Sequence, residues 1–135
     1  MQILKILRDQ ASINPDKVAV IFRDEEITLK KLQERYLALA SSLKKIGVEK
    51  GDRVALYLPN WPEYIYSYLA IWALGAVAVP LDFMLTSDEL SSCLMHSEAK
   101  VLIIKTKATL NLATLKERLP CLKTIITCQD SQEGH

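Results

Sequence analysis

Glycine is scarce in this chain of 135 residues. There are four, and they form neither a Gly-x-Gly-x-x-Gly nor a Gly-x-x-x-x-Gly-Lys-Ser/Thr pattern. Both patterns hold phosphate by letting backbone N–H groups approach the anion closely, so a self-contained nucleotide cradle is excluded. Histidine is scarcer still, His96 and His135 being the two, and neither His-Glu-x-x-His nor Gly-x-Ser-x-Gly occurs. That removes the zinc-hydrolase helix and the serine-nucleophile elbow. The three cysteines, Cys93, Cys121 and Cys128, are odd in number and make no Cys-x-x-Cys pair, which argues against a disulfide framework or a structural zinc site. They read as small, partly buried hydrophobes of a cytoplasmic protein.

An excess of one charge is also missing. Seventeen basic residues meet sixteen acidic ones for a formal charge of +1, and the basic residues fall singly or in pairs such as Lys30-Lys31 and Lys44-Lys45. Nothing forms a phosphate-binding stripe, so no nucleic-acid partner is expected. Half the residues are hydrophobic and 24% are charged, the balance of a globular domain rather than a disordered one. A secretory signal is not expected at the start, because Lys5 and Arg8 interrupt its apolar pattern and leave an amphipathic helix.

One stretch reaches the length of a membrane span: residues 64–81 carry no charge. Gly75 and Pro80 punctuate it, and the pattern changes at Gly75 from helix-like to strand-like. Glu63 before it and Asp82 after it supply no basic flank. Two buried elements joined at a glycine account for it, and no transmembrane segment is expected.

Patterning along the rest predicts strands over 18–22 and 26–28 with a turn at Asp24-Glu25, then a helix from Leu29. Leu29, Leu32, Tyr36, Leu39, Ala40, Leu43 and Ile46 recur at helical steps, with Thr28 as N-cap and Gly47 as stop. Beyond it, apolar strands at 54–58, 76–80, 101–104 and 124–127 alternate with helices at 61–74, 87–95 and 110–118. Continuous apolar strands, each followed by room for one crossover helix, imply right-handed βαβ units. The fold class is therefore α/β: a doubly wound, mostly parallel sheet with helices on both faces, plus a short N-terminal β-hairpin. Residues 1–128 make one αβα unit, and the polar stretch 129–135 is expected to lead into a longer polypeptide.

In such sheets ligands bind beyond the carboxyl ends of the strands, which directs attention to Pro59-Asn60, residues 81–85 and Lys105-Thr106. Much of the polar chemistry there is helix capping. Asn60-Trp61-Pro62-Glu63 places an Asn at the expected N-cap and a Glu three residues on, and Thr86-Ser87-Asp88-Glu89 repeats the arrangement as a capping box. Asp82 is the polar group least explained by capping. Trp61, Tyr68 and Trp72 fall at helical spacing and are read as packing rather than as a stacking platform.

Three stretches together resemble the N-terminal region of the adenylate-forming superfamily, of the acyl-CoA synthetase or fatty-acid–CoA ligase type. They are Ile27-Thr28-Leu29-Lys30-Lys31-Leu32 continuing to Gly47-Val48-Glu49-Lys50-Gly51-Asp52-Arg53-Val54-Ala55, then Leu58-Pro59-Asn60-Trp61-Pro62-Glu63-Tyr64, then residues 70–82 followed by Thr86-Ser87-Asp88-Glu89-Leu90. The resemblance implies an enzyme that joins ATP and a carboxylic acid into an acyl-adenylate and passes the acyl group to coenzyme A, with magnesium assisting. The family's Ser/Thr/Gly-rich phosphate loop and C-terminal lysine have no match here. No catalytic residue and no metal ligand can be carried over, and no cofactor is expected for this chain, whereas ATP, Mg and CoA serve the parent enzyme. Asp82, Phe83 and Met84 map onto a loop that holds coenzyme A in some members. The partners implied are the remainder of the same polypeptide and a carboxylic acid, with self-association through exposed apolar surface. The alternative is a freestanding, non-catalytic α/β binding or interaction module.

Overall fold

The computed structural model describes residues 2–107 and 109–128; the polar stretch 129–135 lies outside them. The chain runs α1 (Gln2–Ile13), β1 (Val18–Phe22), β2 (Glu25–Thr28), α2 (Leu29–Lys45), β3 (Arg53–Tyr57), α3 (Pro62–Ala73), β4 (Val77–Pro80), α4 (Ser87–Ser97), β5 (Val101–Lys105), α5 (Leu112–Arg118) and β6 (Thr124–Cys128). β1 and β2 pair antiparallel as a separate hairpin, its turn falling at Arg23-Asp24, one residue earlier than the sequence suggested. The other four strands form one parallel sheet in the order β4-β3-β5-β6.

Alternation along β3 and β5 splits the core into two layers. Val54, Leu56, Val101 and Ile103 face α2 and α3, meeting Ala40, Leu43, Ala70 and Ile71. Ala55, Tyr57, Leu102 and Ile104 point the other way, against Leu90 and Leu94 of α4 and Leu115 and Leu119 at α5. Both central strands are covered on both faces, which is why they read as unbroken apolar runs. Each fully buried Leu or Ile contributes about 1.5–3 kcal/mol of transfer free energy. A third cluster, Ile27, Leu32, Tyr36, Tyr66 and Leu69 with Leu4 and Leu7, fastens α1 and the hairpin to the outer side of α2 and α3. Among the described residues no helix is long and apolar enough to cross a membrane; the uncharged run is α3 and β4.

The two Thr-capped helix starts follow the sequence, whereas α4 runs on to Ser97, α5 begins at Leu112 after an Asn111 cap, and α3 starts late. Thr28 Oγ1 accepts from Lys31 N at 3.1 Å, and Thr86 and Glu89 make both bonds of a capping box. Asn60, however, does not cap α3. The N-cap is Trp61, extended at φ −103° and ψ 163°, with no side-chain cap bond. Pro62 is the cause: its ring pushes the preceding residue out of the helical region, so the helix begins one residue later than the Asn signal implied.

Candidate functional site

The loops leaving β3 and β4 diverge to opposite faces, because α3 packs on one face of the sheet and α4 on the other. This is the switch point at which open α/β sheets take ligands. The structure brings two of the three loops singled out from sequence into one groove of about 410 Å³, lined by Leu58, Pro59, Asn60, Tyr64 and residues 80–84. Asn60, freed from capping, and Tyr64 also line an adjoining apolar cleft of about 240 Å³ under Ile21, Phe22 and Ile65. Lys105 lies apart from the groove, its ammonium 4.9 Å from the ring centre of the buried Trp61.

The three candidate residues share the loop but differ in what they offer. Asp82 is exposed, and its Oδ1 accepts the Met84 N–H at 2.8 Å while its carbonyl accepts Leu85 N–H at 3.1 Å. Its side chain therefore closes its own turn. Phe83 is half-buried, 5.0 Å from the Tyr57 ring, with Lys107 Nζ 4.1 Å from its centre. Met84 is 81% exposed and contributes apolar surface to the groove.

Two residues that shape this end were not singled out from sequence. Tyr57, wholly buried at the end of β3, donates from its hydroxyl to the Leu85 carbonyl at 2.6 Å and supports Phe83. Lys107 donates to the Phe83 carbonyl and lies over both rings. The available signal was an aromatic closing a buried strand and a lysine just past the end of its neighbour. On α3 the rings of Tyr64, Tyr68 and Trp72 stack in succession at 5.2 and 5.1 Å, so packing describes Tyr68 and Trp72, with Tyr64 rather than Trp61 completing the row.

Electrostatics at this end favour neutral groups. Burial, aided by Tyr68, pushes the Tyr64 hydroxyl up to about 12, so it remains an O–H at neutral pH. Burial beside Glu63 pushes the Cys128 thiol up to about 11, leaving it a weak nucleophile. Among the described residues no group of three or more His, Cys, Asp or Glu is placed to hold a metal ion. The described glycines, Gly47, Gly51 and Gly75, precede strands rather than follow them. Asp82 is the one carboxylate that lines the groove, and none of the described glycines lies there to cradle a phosphate.

An open, doubly wound α/β layer with a groove at its switch point is the class defined by this geometry. The AMP-binding enzyme family matches residues 7–134, and the chain belongs to that family. A medium/long-chain-fatty-acid–CoA/3-oxocholest-4-en-26-oate–CoA ligase of Mycobacterium marinum is 33% identical over 119 residues, covering 88% of this chain and 22% of the relative. An anthranilate CoA ligase solved with anthranoyl-AMP superposes with a TM-score of 0.85 at 26% identity, over 93% of this chain and 24% of its own. The inhibitor-bound N-terminal domain of FACL13 from Mycobacterium tuberculosis gives 0.81 at 29% identity, over 93% and 33%. The chain thus spans about a fifth of the curated relative's length.

Proposed function

We propose that this chain, with residues 1–128 as its αβα unit, is the N-terminal scaffold of an ATP-dependent acyl-CoA synthetase and that the 135-residue chain is inactive by itself. The observation that carries the reading is a family match across residues 7–134 joined to a switch-point groove lined by Asn60 and residues 80–84. The parent would activate a carboxylic acid with ATP and magnesium and transfer the acyl group to coenzyme A. In that division of labour this chain sets the sheet and the wall of the groove, and the phosphate-handling groups come from the remaining polypeptide.

Asp82, Phe83 and Met84 are assigned to the coenzyme A side. No basic residue lines their groove, so the part of the thiol donor it would meet is uncharged, laid against Met84 with Asn60 as its amide partner. A cytoplasmic setting suits this chemistry. Ile3, Ile6, Ile13 and Ile21 are exposed and supply the surface for self-association of the chain alone.

The test is a chimera in which this chain replaces the matching fifth of the M. marinum ligase, assayed by fatty-acid-dependent ATP–pyrophosphate exchange. The chimera is expected to exchange and the 135-residue chain to show none. Exchange by the chain alone would overturn the scaffold reading.

A further inference from the structure

We infer that Glu63 is a docking acceptor for an N–H or O–H donor carried by polypeptide outside this chain. Glu63 lies in the first turn of α3, where Ser67 Oγ donates to its backbone carbonyl at 2.6 Å. Its Oε2 is buried and has no hydrogen-bond partner, and among the described residues no other buried side-chain nitrogen or oxygen is left so. A buried carboxylate oxygen without a donor is costly, and native proteins rarely leave one. Something is expected to reach it.

The location indicates what. Glu63 lines neither of the two grooves described above. It does sense Cys128 at the end of β6, whose thiol its charge helps to push up. Among the described residues β6 is an edge strand with β5 as its one neighbour, and Ile126 and Cys128 on it are only partly buried against the α2/α3 layer. An open edge beside an unpaired acceptor is a seat for more chain. Relatives that this chain covers to 22%, 24% and 33% have the length to supply it. The inference rests on the reading that the parent is such a longer family member.

The experiment compares Glu63→Gln, which keeps the shape and one acceptor oxygen, with Glu63→Leu, which keeps neither. In the 135-residue chain neither is expected to destabilise, since no donor is lost; Glu63→Leu, which removes the unpaired buried acceptor, should lower the unfolding constant in urea by about threefold or more. In the chimera described above, thermal inactivation should accelerate in the order Glu, Gln, Leu, reaching about tenfold for Glu63→Leu. Strong destabilisation of the chain alone would reveal an internal donor and overturn the inference. An active chimera indifferent to both substitutions would overturn it while leaving the functional reading intact. A wild-type chimera without exchange would overturn the functional reading and the docking partner with it.

Discussion

The two ends of the parallel sheet are built differently. At the amino ends, Gly47, Gly51 and Gly75 take φ of 96°, 86° and 69° and turn the chain tightly into the strands. Asp52 Oδ2 accepts Glu49 N–H at 2.7 Å and Lys100 Nζ at 3.2 Å, Lys100 also reaches the Gly47 carbonyl at 2.8 Å, and Arg53 Nη1 donates to the Ser97 carbonyl at 3.0 Å. At the carboxyl ends the lysines meet aromatic faces and the Phe83 carbonyl, Asp82 closes its own turn, and a groove stays open. One end is locked by backbone geometry and ion pairing. The other is supported from beneath by Tyr57 and left accessible, which is the arrangement of a binding wall on a rigid base.

The comparison can be broken first at the open end. Tyr57→Ala removes a wholly buried ring together with the hydroxyl that holds the Leu85 carbonyl, and should cost about 3–5 kcal/mol in urea denaturation. A loss below about 1 kcal/mol would mean that residues 81–85 do not depend on it. At the locked end, Gly75→Val forces a β-branched residue to positive φ and brings its Cβ to 3.2 Å from Lys50 Cγ. About 1–3 kcal/mol should be lost, with the groove's geometry unaltered.

The smallest effect sharpens the comparison through pH. The Glu49 N–H and then Lys100 hold the Asp52 carboxyl below its usual range. A carboxyl lowered on folding stabilises fully above its unfolded value near 3.9, and that contribution disappears as pH falls through the folded value. Asp52→Asn should therefore cost under about 1 kcal/mol at pH 7, the pair being partly open to water, and should make the decline in stability below about pH 4 shallower. Identical acid limbs for the two proteins would contradict the ion-pair account.

The sequence made part of the locked end legible because it is local, a glycine after a helix and an apolar run in a strand, whereas the Lys100–Asp52 pair joins residues 48 positions apart and was not read. Both capping residues with a Thr were readable for the same reason, and the alternation of apolar strands and helices made the doubly wound, mostly parallel class readable. The open end was legible only in outline. Asn60 was misread because the restriction Pro62 places on Trp61 outweighs the Asn capping preference, a conflict between two local rules. Tyr57 and Lys107 escaped notice because their role depends on Phe83, 26 and 24 positions away, a proximity that the β3–β4 and β3–β5 pairings together create. Glu63 passed as a capping acid; its unpaired oxygen is a property of packing and leaves no mark on the sequence.

The central claim is that the open end is a wall whose phosphate-handling groups lie elsewhere. It is tested most directly by titrating magnesium-ATP into the isotope-labelled 135-residue chain and following its backbone amides by NMR. No saturable shift is predicted at Asn60, Asp82, Phe83 or Met84 up to millimolar nucleotide. Saturable shifts confined to those residues would contradict the account and place a complete nucleotide site within this chain.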